Sequence, residues 1–142
     1  MADISVSQPP RARSRTGLIG LWIATLLPAV VIGMNGFSKL ATTGEWDRLF
    51  AFWGYPAWLA TLVGAAEIAG ALLMLVPRFA FYGASTLAAV MLGAVVTLVT
   101  HPGSHFFRGR QTPMRFGTPL VYLLILLMVA AVRWKDRASR SA

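Results

Sequence analysis

The stretch AWLATLVGAAEIAGALLMLV, residues 57–76, decides the fold. It holds 20 residues and a single charge, Glu67. About 20 apolar residues are what an α-helix needs to cross a hydrocarbon core about 30 Å thick. Three more stretches of this kind flank it. Leu18 to Phe37 and Phe79 to Thr100 carry no charge, and Gly117 to Val132 is uncharged up to Arg133-Trp134-Lys135. Long basic side chains snorkel, so the last helix is expected to continue to about Trp134. Buried helices of a soluble protein would show polar stripes at helical spacing, and none of the four does. The expected fold class is therefore all-α, an integral membrane four-helix bundle. Its spans fall at about 18–37, 57–76, 79–100 and 117–134, within a membrane domain of residues 17–134. A disordered basic tail, 1–16, is expected before it and a basic tail, 135–142, after it.

Composition agrees. Of 142 residues, 56% are hydrophobic and 13% charged, with a mean hydropathy of +0.63. Soluble domains average about 25% charged residues. That contrast excludes a disordered chain, a coiled coil and an ordinary soluble enzyme. The length suits one compact unit. There is no cysteine, which excludes disulfides, thiol redox chemistry and cysteine-ligated metal within this chain. The first span is long for a signal-peptide core and no small-x-small cleavage site follows it, so it reads as retained.

The net charge is +8. Basic residues collect on one side of the four spans: Arg11, Arg13 and Arg15, then Arg78, then Arg133, Lys135, Arg137 and Arg140. Lys39, Arg48, Arg108, Arg110 and Arg115 fall on the other. The balance places both termini in the cytoplasm. Topology thus accounts for the charge, and no nucleic-acid partner is expected.

The segment after the first span is more than a loop. Thr42 with Glu45 three residues on has the pattern of a capping box. Trp46, Leu49, Phe50 and Trp53 then recur at i, i+3, i+4 and i+7, a short amphipathic helix with an aromatic face. Tyr55 and Trp58 extend the aromatic belt. Such a helix either anchors in the interface, apolar side down, or lies as a lid over an internal site. Pro28 falls mid-span in the first helix, where a kink is expected. Pro77-Arg78 is a tight turn, joining the second and third spans as an antiparallel hairpin. Residues 101–116 form the other long connection.

Glu67 is the most informative residue. It lies about ten residues, or about 15 Å, from either end of its span. A lone carboxyl at that depth is costly and faces a bundle interior or a wet cavity. Gly64, Gly70 and Ala71 share its helix face, and small residues let another helix approach. Two readings stand: a carboxyl that clamps helices together, or one that binds a ligand or handles a proton. Lys39, with Asn35 four residues before it, either snorkels outward or reaches inward toward Glu67. Direct pairing needs the helix ends to be offset, because a lysine stem does not span 15 Å.

His101 and His105 stand at i, i+4, but Pro102 and Gly103 between them break a helix, and no metal site is expected. Neither lies within a span, so neither suits haem. Arg108, Arg110 and Arg115 suit lipid phosphates or another anion. By depth, Asn35, Lys39, Thr97, Thr100, His101, Thr118 and Tyr122 fall in the outer half of the bundle. If several face inward, they form a polar vestibule leading to Glu67. The inner half offers only Ser85 and Thr86, so the site is expected to open outward and stay closed to the cytoplasm. The candidate ligand- or proton-binding residues are Glu67, Lys39, Asn35, His101 and Tyr122.

A wider pattern joins these residues. Gly36-Phe37-Ser38-Lys39-Leu40 closes the first span. Gly54-Tyr55-Pro56-Ala57-Trp58-Leu59 follows, then Gly64-Ala65-Ala66-Glu67-Ile68-Ala69-Gly70. Tyr82-Gly83-Ala84, Met91-Leu92-Gly93-Ala94 and Thr100-His101 complete it. In this order and spacing, across about residues 18–132, the chain resembles the DoxX and DoxX-like family of small bacterial membrane proteins. The resemblance implies a four-helix membrane bundle in the bacterial cytoplasmic membrane. Some members are associated with thiosulfate:quinone oxidoreduction or with membrane redox complexes. By position, the family's lysine and glutamate are Lys39 and Glu67. The expected role is an accessory subunit of a quinone-linked redox system, with a membrane or soluble oxidoreductase partner. No covalently bound cofactor is expected; quinone is the candidate ligand. The alternatives are a small-molecule carrier or binder, which would act as a homo-oligomer, and a structural membrane protein without activity of its own. The residues alone assign no catalysis to this chain.

Overall fold

The computed structural model describes residues 15–107, 110–114 and 117–141, with the side chains of 43, 103–114 and 139–141 left aside. Residues 1–14, the bulk of the expected N-terminal tail, lie outside the described residues. Four long helices carry the fold: α1 (Arg15–Ala41), α3 (Trp58–Leu75), α4 (Ala80–Thr100) and α5 (Gly117–Ser141). Each is long and apolar enough to span a membrane. The short α2 (Thr43–Phe52) lies between the first two spans. The chain is an integral membrane protein of the expected all-α class.

Two boundaries differ from the sequence reading. Helix α1 starts at Arg15, so Arg15 and Thr16 are helical and not tail. Helix α5 runs on to Ser141, through the C-terminal tail. Its 25 residues reach about 37 Å at 1.5 Å per residue, more than a hydrocarbon core. Aromatic rings hold its basic end against the bundle. Arg133 lies 5.8 Å from the Trp22 ring, Arg137 lies 4.9 Å from that of Tyr82, and Trp134 packs on Phe81 at 5.2 Å.

The spans close a ring in which α1 packs on α3, α3 on α4, α4 on α5, and α5 on α1. Buried positions on α1 recur every three or four residues: Thr25, Pro28, Ala29, Ile32, Gly36 and Lys39. The helix runs through Pro28 without interruption. The apolar core joins Ala29 and Ile32 to Ala71 and Met74, Leu87 and Met91, and Leu126 and Val129. The outward faces are large and apolar, including Ile19, Ile23, Met34 and Phe37 on α1 and Leu124 and Leu127 on α5. Water gives no such face a reason to exist; lipid does.

Two glycine crossings set the spacing of the central helix. A Cβ on Gly83 would stand 2.6 Å from both Gly70 O and Met74 N, so α4 meets α3 backbone to backbone. A Cβ on Gly36 would stand 2.7 Å from Gly64 O, the matching contact of α1 with α3. Gly83 and Ala84 are thus used inside the bundle, whereas a Cβ on Gly93 would meet nothing within 4 Å.

The α3–α4 turn has the expected form. Phe79 N donates to Val76 O at 2.9 Å, with Pro77 in the second position that its fixed φ favours. The 101–116 connection, to which the sequence reading assigns no element, has structure of its own. It contains an antiparallel pair, β1 (Gly103–Phe107) and β2 (Arg110–Met114), with Phe107 opposite Arg110. A hairpin satisfies its own backbone, which an irregular segment near lipid does not.

Candidate functional site

The site is built on the α1–α3 crossing. Gly36 and Gly64 lack side chains where the helices touch, and the next residues along each face are Lys39 and Glu67. A Cβ on Gly64 would lie 2.9 Å from Lys39 Cβ, so Lys39 stands opposite Gly64. Glu67 is one turn further along α3, about 4.5 Å by helical rise. A lysine stem covers that distance. The offset of helix ends that direct pairing requires is therefore present. Lys39 sits two residues from the end of α1, while Glu67 sits nine residues into α3.

Lys39 Nζ donates to Glu67 Oε2 at 2.6 Å. The two residues are only 4% and 1% exposed. Lys39 does not snorkel: its charge is spent inside the bundle. An ion pair withdrawn from water is sustained only with close geometry and further polar contacts. Here the second contact is an indole. The Lys39 ammonium lies 4.7 Å from the Trp46 ring centroid, a cation–π distance. Trp46 Nε1 in turn donates to Ser38 Oγ at 3.4 Å, one residue from Lys39.

Trp46 comes from α2, so α2 covers the pair. Leu49 and Phe50 on the same helix are buried. The aromatic face read from the sequence points at protein, and the lid geometry describes it better than interface anchoring alone. The capping box is absent. The Thr42 hydroxyl donates back to Ser38 O at 2.7 Å and makes no cap bond to α2. Thr42 is pulled this way because α1 ends one residue earlier and leaves Ser38 O able to accept it.

The far end of α2 is closed by a Schellman motif. Gly54 takes φ +78°. Tyr55 N donates to Phe50 O at 2.9 Å and Gly54 N to Ala51 O at 3.0 Å. The Phe50 and Tyr55 rings then meet at 6.1 Å. Only glycine takes that φ without strain, which explains Gly54. Tyr55 Oη reaches α4 and lies 3.0 Å from Thr97 Oγ1. The Thr97 hydroxyl is committed to Gly93 O at 2.9 Å, so Tyr55 is the donor.

The other candidate residues divide. Asn35 is exposed: the buried stripe passes through Gly36 and Lys39 and leaves Asn35 on the outer edge. Thr100 and Thr118 are exposed as well. His101 is half-buried and closes the end of α4, its Nδ1 2.9 Å from Thr100 Oγ1 and 3.2 Å from Thr97 O. Tyr122 is half-buried against the apolar core. The polar residues of the outer half do not converge into one vestibule. Beyond Glu67, toward the chain termini, the buried residues are apolar apart from Thr25, whose hydroxyl donates to Leu21 O at 2.7 Å. The side chains of His105, Arg108, Arg110 and Arg115 lie outside the described residues. Among the described residues no cluster suits a metal ion.

The sequence reading places Trp46 on the aromatic face of the anchor or lid and Thr97 among the outer-half polar residues, but neither stands among the candidate ligand- or proton-binding residues. The signal for Trp46 was present: an aromatic helix face placed directly after a span that ends in lysine. For the pairing of Thr97 with Tyr55, 42 residues apart in sequence, there was none.

No solved structure matches the chain. It is 32% identical over 104 residues to the uncharacterized protein YdgD of Bacillus subtilis (strain 168), covering 71% of this chain and 86% of that relative. Residues 23–131 match the DoxX-like family. That match reaches from within the first span to within the last, takes in both glycine crossings and the Lys39–Glu67 pair, and the chain belongs to the DoxX-like family.

Proposed function

We propose that this protein is an accessory component of a quinone-linked redox system in the bacterial cytoplasmic membrane, with both termini in the cytoplasm. Its own task is to bind the quinone head at the Lys39–Glu67 pair and to hold or move a proton there. One observation carries this reading: an ammonium, a carboxyl and an indole meet inside the bundle beneath α2. A lysine ammonium has three donors. One goes to Glu67, and among the described residues Nζ makes no other hydrogen bond.

The donor set fits such a head group. A quinone is neutral, flat and apolar, with carbonyl oxygens that accept hydrogen bonds. Lys39 offers a donor to a carbonyl oxygen. Trp46 offers a flat aromatic face. The surrounding helices exclude water, which strengthens each polar contact. When bound, quinone supplies two-electron, two-proton redox chemistry, and the electrons come from a partner oxidoreductase. Glu67, at 2.6 Å from Lys39 Nζ, is the group placed to hold or transfer the proton. Ionisable groups inside a span are commonly functional, and among the described residues Lys39 and Glu67 are the buried charged ones.

The test is binding of a short-chain quinone to the protein in lipid nanodiscs. Saturable binding is expected, weakened at least tenfold by Lys39→Met and retained in part by Glu67→Gln. Equal binding by wild type and Lys39→Met, both folded, overturns the proposal. A helix clamp without activity predicts that equality.

A further inference from the structure

We propose that α2 is a lid tethered at both ends, and that the Tyr55–Thr97 hydrogen bond is the latch that governs access to the Lys39–Glu67 pair. This regulates the site assigned above and rests on that reading for its purpose, though not for its test. Three observations point to it. First, the cover is α2 itself: Trp46 lies over Lys39 Nζ at 4.7 Å, and the residues are buried beneath it. Second, α2 and Tyr55 move as one piece. The Schellman bonds from Gly54 and Tyr55 and the Phe50–Tyr55 ring contact bind the turn rigidly to the last turn of α2. Third, the two ends of that piece are held differently. At its start, a single residue, Thr42, separates α2 from α1, with φ −121° and ψ 53°, and a Cβ on Gly44 would meet nothing within 4 Å. That end has room to pivot. At its finish, the Tyr55 hydroxyl is bonded to Thr97 on α4 at 3.0 Å.

Releasing Tyr55 from Thr97 therefore loosens the far end of the piece, and raises the fraction of time Trp46 lifts from Lys39, against the hold that buried Leu49 and Phe50 and the Trp46–Ser38 bond still exert. Thr97 is well placed for a latch. It is buried, and its own hydroxyl proton is occupied by Gly93 O, so its oxygen is fixed as an acceptor. Tyr55 and Thr97 are positioning residues: neither touches Lys39 or Glu67.

The chain has two lysines, Lys39 and Lys135, and Lys135 is exposed. That permits a direct test. The protein in nanodiscs is treated with N-hydroxysuccinimide acetate, and acylation of each lysine is followed by peptide mass spectrometry, with Lys135 as internal reference. Wild-type Lys39 is expected to react slowly. Tyr55→Phe, which keeps the ring, and Thr97→Val are each expected to accelerate Lys39 by about three- to tenfold, the population factor of one lost hydrogen bond. The double variant is expected to match the faster single variant, because both remove the same bond. Unchanged Lys39 rates in both folded single variants overturn the latch, as do single effects that multiply in the double variant. Quinone binding does not enter this readout. A working latch with no quinone binding therefore refutes the assigned ligand alone, and quinone binding with no latch refutes the latch alone.

Discussion

Lys39→Met isolates the energetics of the buried pair. The substitution keeps the length and apolar stem of the side chain and removes its charge. Glu67, 1% exposed, then keeps a carboxyl with no counter-charge inside the bundle. Breaking a buried pair by removing one partner costs about 3–5 kcal/mol. Glu67→Gln is milder, because the amide oxygen can still accept from Lys39, and about 2 kcal/mol is expected on the scale of a charged hydrogen bond. The double variant leaves an apolar stem beside a neutral amide, and a cost of about 1–2 kcal/mol is expected from the one amide left without its partner. The cycle thus closes with a coupling of about 3 kcal/mol or more, at or above the upper end of what contacting residues commonly show. The assay is equilibrium unfolding in mixed micelles followed by tryptophan fluorescence. Single costs below about 1 kcal/mol that simply add would refute the reasoning, since an exposed pair behaves that way.

Further variants probe the framework. Gly64→Ala places a methyl 2.9 Å from both Gly36 O and Lys39 Cβ, so α1 and α3 must part; overpacking of about 1–3 kcal/mol is expected in the same assay, with Lys39 becoming more reactive to acylation. Gly93→Ala, whose Cβ would meet nothing within 4 Å, serves as its control and is expected to be neutral or slightly stabilising. Thr42→Ala removes a hydroxyl that makes no cap bond to α2, so its cost is expected to stay below the roughly 1 kcal/mol of a working N-cap. Trp46→Ala removes the indole over Lys39 and is expected to raise Lys39 acylation beyond the level reached by Tyr55→Phe, since it opens the cover and not only its fastening.

The spans were legible because lipid imposes one rule on every residue of a segment: apolar, and about 20 long. Glu67 was legible for the same reason, as the exception that such a segment tolerates only for cause. What a single span does not encode is azimuth relative to neighbours. Asn35 and Lys39 share a helix quadrant on paper, yet the Gly36–Gly64 contact turns one inward and leaves the other exposed. The same indeterminacy made Thr100 and Thr118 look like lining residues. Thr42 and Glu45 have the spacing of a capping box, but one residue between two helices leaves the hydroxyl nearer the helix it follows. The 103–114 hairpin went unread because its strands are short and Pro113 falls within one of them. The Tyr55–Thr97 contact bridges 42 residues and depends on how α2 folds back, which no local pattern reports.

The most direct test of the whole account is native mass spectrometry of the protein extracted gently from its own membrane. The account predicts a quinone released with the wild-type chain and absent from Lys39→Met, alongside a stoichiometric oxidoreductase subunit. A wild-type chain that carries phospholipid alone, with neither quinone nor partner, would contradict it.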